Sequence, residues 1–254
     1  MAGTRRQDIK LASLLKTAAK DNLVNDLDDD LVVKIGRNVV KYAKIDDDSR
    51  EEWLKKSKTA MELALQVVEK KTTPWEDASN VKFPLITTAS LQFHARAYPA
   101  MVPGRDVVKG QVTGKDDGSK LERSIRIAQH MNWQLLEEDE TWEENTDKML
   151  LALAVEGCEF KKTYFNSDLG HNVSEWIRPK DLIVNNSTKS LSTCPRITHP
   201  VNYYPHEIDE KMMAGIWIDD DLGISEDERD EEKLQLFYEQ HTFLDLNEDG
   251  YKDP

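Results

Sequence analysis

The residues that could do chemistry fall into a few groups. Asp245-Leu246-Asn247-Glu248-Asp249-Gly250-Tyr251-Lys252-Asp253 opens as a calcium loop does, Asp-x-Asn-x-Asp-Gly. Oxygens at alternate positions can converge on a hard cation, and glycine permits the sharp turn. The acid that completes such a loop would fall beyond Pro254, and the entering segment patterns as a strand. A β-turn, which favours the same residue types, accounts for the stretch as well. Asp46-Asp47-Asp48 and Asp219-Asp220-Asp221 suggest magnesium-assisted phosphoryl transfer. Such sites gather one or two carboxylates from separate elements, so a consecutive triplet is expected to be a solvated helix entry instead. The six histidines, His94, His130, His171, His199, His206 and His241, contain no i,i+4 pair and no Glu-bracketed zinc motif. Each is expected at the surface or in a hydrogen bond rather than as a ligand or base.

Gly104, Gly110, Gly114 and Gly118 fit neither a Walker nor a dinucleotide pattern, and no Gly-x-Ser-x-Gly elbow is present. Two cysteines, Cys158 and Cys194, are too few for a disulfide scaffold or a cysteine zinc site. Phe160-Lys161-Lys162-Thr163-Tyr164-Phe165 interleaves bases and aromatics as single-strand nucleic-acid sites do. On a strand, though, Lys161 and Lys162 face opposite ways, and core-in, solvent-out alternation explains the stretch. The expectation is therefore a chain with no catalytic, cofactor-binding or metal residues, and no cofactor.

Composition agrees. Lys+Arg 34 against Asp+Glu 48 gives a net charge of −14 over 254 residues. Dedicated nucleic-acid binders are usually basic, so that balance argues against one. An apolar share of 39% with six Trp, seven Tyr and six Phe can still bury a core. The longest apolar run, Met149 to Val155, is far short of the ~20 residues that cross a bilayer, and the first residues lack the apolar stretch of a signal peptide. A cytosolic, acidic protein is expected.

The elements that would position these residues change character along the chain. Ile9, Ala12, Leu15 and Ala19, then Leu31, Ile35, Val39 and Tyr42, recur at helical spacing. Ser49-Arg50-Glu51-Glu52 has capping-box form and predicts a helix through Trp53, Ala60, Ala64, Val67 and Val68, stopped before Pro74. Thr87 to Tyr98 predicts a helix, Asp106 to Thr113 a strand, and Gly114 to Gly118 a turn. Two helices follow, Ser119 to Glu138 and, behind a second capping box at Thr141-Trp142-Glu143-Glu144, Thr141 to Val155. They are expected to pack as a hairpin. After Gly157 the period switches to two: strands over Glu159 to Phe165, Val173 to Ile177, Leu182 to Val184 and Leu234 to Leu246, with a short helix from Pro205. Helices first and antiparallel β hairpins second define an α+β class, with a helical region at 1–82 and an α+β region at 83–254.

The stretch from Phe83 to His199 resembles the portal proteins of tailed bacteriophages, in the group typified by phage P22. The resemblance is carried by Pro84-Leu85-Ile86-Thr87-Thr88-Ala89, Phe93-His94-Ala95-Arg96-Ala97-Tyr98-Pro99 and His130-Met131-Asn132-Trp133-Gln134-Leu135. Gly157-Cys158-Glu159-Phe160-Lys161-Lys162-Thr163-Tyr164, Asp181-Leu182-Ile183-Val184-Asn185-Asn186, Pro195-Arg196-Ile197-Thr198-His199 and the closing Asp-Leu-Asn-Glu-Asp-Gly-Tyr-Lys-Asp-Pro complete the order. It implies a wing-like region of a portal subunit, ending before the expected stem and clip. It further implies a dodecameric ring at one capsid vertex, a head–tail connector of the virion assembled in the host cytoplasm. Double-stranded DNA is packaged and ejected through such rings by transient, non-specific contact. The partners implied are the terminase, the major capsid protein and tail adaptor proteins, with no membrane and no enzymatic activity. Two other readings remain: a head-completion or adaptor protein, and a metal-dependent nuclease built on the carboxylate clusters.

Overall fold

Leu31, Ile35, Val39 and Tyr42 share one face, and Asp29 and Asp30 lie where acids meet the positive end of a helix. They form α1, Asp29–Ser49, the first element of a computed structural model that describes residues 29–67, 70–80, 83–115, 118–167, 169–219 and 222–243. The expected helix over Ile9 to Ala19, the Asp245–Asp253 turn, and Asp220 and Asp221 lie outside the described residues. The fold is α+β: seven α-helices and two antiparallel two-stranded sheets among the described residues.

The chain divides into two compact units, not at residue 82 but by nesting. A terminal unit comprises Met1–Ser49 with Ile183–Pro254, and a central unit comprises Arg50–Leu182.

The central unit holds α2 (Glu51–Ala64), α3 (Leu85–Met101), α4 (Ser119–Trp133) and α5 (Trp142–Glu156), then the hairpin of β1 (Phe160–Asn166) and β2 (His171–Ile177). A π-helical segment, Gln134–Glu138, continues α4. In the register of the hairpin Phe160 faces Ile177 and Asn166 faces His171. Gly157 ends α5 at φ 84°, a conformation that favours glycine. The main neighbour of α5 is α3 rather than α4, with α2 and β2 also packed on it.

Neither expected capping box forms. The Ser49 hydroxyl donates back to Asp46 O (2.6 Å), and α2 starts after Arg50 with no side-chain cap. The Thr141 hydroxyl donates to Asp139 Oδ1 (2.8 Å), so it caps nothing in α5. Helix α2 stops at Ala64, well before Pro74, and α3 runs past Pro99, which sits in its last turn.

The expected strand at Asp106–Thr113 is absent. Among the described residues the segment has no partner strand, and a side chain serves that role: Asn132 Nδ2 donates to Val108 O (3.0 Å) and Asn132 Oδ1 accepts from Val108 N (2.7 Å). Gly110 is what lets the segment approach α4. A Cβ there would lie 2.5 Å from Ser124 O.

The terminal unit pairs β3 (Arg196–Tyr203) with β4 (Gln235–Thr242), a strand pair separated in sequence by α6 (Pro205–Met213) and the short α7 (Glu226–Asp230). Pro205 opens α6 at the position proline tolerates, and Ser225 with Glu228 forms a true capping box on α7. Strand β3 was not expected. Pro200 interrupts its pattern, yet it pairs opposite Tyr238. Leu182 to Val184 contributes only a bridge, Ile183 with Thr198, which exchange two hydrogen bonds (2.7 and 3.0 Å).

Candidate functional site

In the central unit, α3 and α5 run antiparallel and are joined by three polar rungs. Ser90, His94 and Tyr98 recur at intervals of four on α3; Leu151, Asp147 and Glu143 do so in the reverse direction on α5. Ser90 Oγ donates to Leu151 O (2.8 Å), His94 Nε2 pairs with Asp147 Oδ1 (2.7 Å), and the Tyr98 hydroxyl donates to Glu143. The Glu143 bond pushes the Tyr98 phenol up to about 12. His94 also stacks on Tyr98, with centroids 5.6 Å apart. It therefore works as a helix clasp, consistent with the hydrogen-bonded role expected of it.

Beside this seam an apolar groove of about 440 Å³ is lined by Met61, Leu65, Leu91, Leu151, Val155 and Trp176, with Lys148 and Arg178 supplying its charged atoms. A buried polar cluster adjoins Trp176 and Arg178. Glu156 pairs with the Arg178 guanidinium, and Trp176 Nε1 donates to Glu159 Oε2 (2.7 Å). Burial pushes the Glu159 carboxyl up to about 7; the Glu156 charge adds to that, against the Trp176 bond and the Arg178 charge. The neighbouring Cys158 thiol is also pushed up, by burial first and then by the charges of Glu159 and Glu156, which makes it a poor nucleophile. An acid that titrates near neutrality inside a packed cluster can take up a proton. Its near partners are the Trp176 indole and the Glu156–Arg178 pair.

Lys161 overturns the simple alternation expected of β1. Its ammonium donates to Thr146 Oγ1 (2.6 Å) and lies 4.7 Å from the Trp142 ring centroid, while Phe165 is 63% exposed. Burial lowers its pKa. The lysine is thus on the packed side, held by an aromatic face and a hydroxyl, whereas Phe165, on the same face further along the strand, is exposed.

Asp46 is the clearest correction. It is not a solvated helix entry but sits in the last turns of α1, 1% exposed. Arg196 grips it with two bonds of 2.8 Å, and Asn185 Nδ2 donates a third of 2.9 Å. Burial alone would raise its carboxyl. The hydrogen bonds of Arg196 and Asn185, with the Arg196 charge, outweigh that and hold it below the ordinary value. The guanidinium also lies 4.5 Å from the Tyr42 ring centroid. Asp48 and Asp219 are exposed.

The other histidines are dispersed. His130 stacks on Trp133, His206 on Tyr204, and His171 contacts Asn172 O (3.1 Å). The β3–β4 register does bring two together: His241 Nε2 lies 3.0 Å and His199 Nδ1 4.0 Å from the Glu239 carboxylate. Among the described residues no group of three or more His, Cys, Asp or Glu is placed to hold a metal ion. No described helix is long and apolar enough to cross a membrane.

Sequence reading missed Arg50, Asp139 and the Glu156–Arg178 cluster. Arg50 donates to Pro179 O (2.6 Å), Leu182 O (2.8 Å) and Lys180 O (2.8 Å). Asp139, 4% exposed, accepts from Thr141 and from Ser174 N (3.0 Å), fixing the end of the π segment to β2. The period-four series on α3 and α5 was a readable signal; Arg50 had none. Compared with known proteins, the chain matches no family model and no curated sequence.

Proposed function

We propose that this chain is a subunit of a portal ring, a structural, non-enzymatic head–tail connector of a tailed-bacteriophage virion. The observation that carries this reading is the ordered series of segments from Pro84 to His199, whose order and spacing resemble that family. Both units also leave apolar side chains uncovered, as subunits whose surfaces meet neighbours do: Val33, Val40 and Ile45 on α1, Leu91 and Phe93 on α3, and Leu234, Leu236 and Phe243 at β4. The acidity suits a conduit. Each phosphate neutralised by Lys or Arg adds affinity that translocation must break, and a chain at −14 adds little. In this reading the ring's partners are the terminase, the major capsid protein and tail adaptors, and duplex DNA passes through by transient contact.

Particle mass and ring counting in negative stain test it. Like-charged subunits repel, so sedimentation should show mostly small species at low ionic strength and larger ones as salt screens the charge. A chain that stays monomeric at every salt concentration and yields no rings refutes the reading. So does divalent-ion-dependent nicking of DNA that is lost on Asp219→Asn.

A further inference from the structure

Helix α4 is the least covered element of the central unit. Only Ala128 on it is buried. Leu121, Ile125, Ile127, Met131 and Trp133 are between 42% and 51% exposed. Among the described elements its extensive neighbour is the π segment that continues it. Its inner line, Ser124, Ala128 and Asn132, is met by the Val108–Gly110 segment through the Asn132 amide and the Gly110 approach. That leaves Ile127 and Met131, four residues apart and hence on one stripe, about half exposed among the described residues.

The charge on this helix is distinctive in a chain at −14. Its first half carries Lys120, Arg123 and Arg126 against Glu122 alone; acids return in the π segment as Glu137 and Glu138. Bases at the start and acids at the end are the reverse of what the helix dipole favours, so the order is unfavourable within one copy. A second copy laid antiparallel turns it into an advantage. Centred between Ile127 and Met131, the pair sets Ile127 of each copy against Met131 of the other. It also sets the Lys120–Arg123 turn of each towards the exposed Glu137 of the other, Glu138 having one carboxylate oxygen buried. Parallel pairing would stack like charges and is disfavoured by the same residues. A duplex nucleic acid would meet the bases but also the acids, and would leave the apolar stripe open.

We propose that α4 pairs antiparallel with α4 of a second copy of this chain, through the Ile127–Met131 stripe and its complementary charged ends. This goes beyond ring formation, which requires head-to-tail contacts, because the α4 contact is two-fold symmetric. Its salt dependence also has the opposite sign: complementary ends are weakened by screening, whereas mutually repelling ring subunits are helped by it.

Sedimentation equilibrium of the 254-residue chain over a concentration series, at low and high salt, tests the pairing. The expected result is a monomer–dimer equilibrium at low salt, where the ring reading also expects only small species, with the α4 contact itself weakened as salt rises whatever larger species then form. Ile127→Glu should raise the dissociation constant by at least ~10-fold. Arg123→Glu or Glu137→Arg alone should raise it about five-fold, and the two together should restore it to within about two-fold. All three positions are exposed, on the helix or in the turn that follows, and far-UV circular dichroism confirms that each variant remains folded. A dimer indifferent to Ile127→Glu, or a double variant no better than the singles, overturns the proposal even where rings still form, and the portal reading then survives it. A chain that stays monomeric while Arg123→Glu abolishes its binding to duplex DNA overturns it in favour of nucleic acid.

Discussion

The two units close on themselves by different chemistry. The terminal unit is assembled from both ends of the described chain, and its fixed point is a charge pair: Asp46 and Arg196, 150 residues apart. The central unit is one continuous stretch, and its ends are tied by Arg50, whose guanidinium spans the backbone carbonyls of Pro179, Lys180 and Leu182. The first device depends on two ionised groups finding each other across the sequence. The second depends on one permanent charge and on backbone that is present whatever the side chains. The terminal unit should therefore be the more sensitive to single substitutions and to strong acid.

The largest expected effect follows directly. Asp46→Ala leaves the partly buried Arg196 guanidinium and the Asn185 amide without their partner and should cost about 3 kcal/mol, seen in urea unfolding together with loss of amide protection in β3. If the loss is below ~1 kcal/mol, the comparison fails. Next, Arg50→Gln removes a charged donor from three carbonyls, and should cost about 2–3 kcal/mol with protection lost first around residues 179–182. Gly110→Ala places a Cβ 2.5 Å from Ser124 O and should cost about 1–3 kcal/mol as the segment is pushed off α4.

The smallest effect separates the units by pH. Glu159 has a folded value raised to about 7 against an ordinary 4.5. Its contribution is complete below 4.5 and is lost as pH rises through about 7, so the central unit should weaken over that window. Because the carboxyl is only half-buried, the loss should be about 1 kcal/mol, and Glu159→Gln should abolish the slope in urea melts between those pH values. Asp46 behaves oppositely. Its value is lowered from 3.8, so its contribution is present above 3.8 and disappears as pH falls through the lower folded value. Mild acid should firm the central unit while leaving the terminal one unchanged.

Most of the helices were legible because their apolar spacing is local. Leu31, Ile35, Val39 and Tyr42 announced α1, and Gly157 marked the switch from helix to hairpin. What failed depended on distant partners. Asp106–Thr113 carries strand-like residues, but only the folded chain shows that the Asn132 amide occupies the place of a neighbouring strand. Both capping boxes had the right letters, yet their hydroxyls found Asp46 O and Asp139 instead. Asp46 was hidden by its own neighbours, since three consecutive aspartates read as solvated while one of them is turned inward towards Arg196. No local pattern ties position 46 to position 196. Strand β3 was obscured by Pro200, whose missing donor argues against a strand wherever the ladder must be continuous.

The placement of that proline bears on what the sheet can recruit. Thr198 N and O both bond to Ile183 rather than to β4. Backbone groups two residues on point the same way, so the Pro200 nitrogen faces the outer edge and the β3–β4 ladder loses nothing. On that edge the bridge to Ile183 occupies Thr198, Arg196 O accepts from Cys194 Sγ, and no N–H is offered at Pro200. An incoming extended chain could not zip along β3 from Arg196 to Tyr203. The strand is thus closed to runaway edge-to-edge growth. When many copies are crowded together, the proline steers association away from amyloid-like stacking and toward contacts made by side chains.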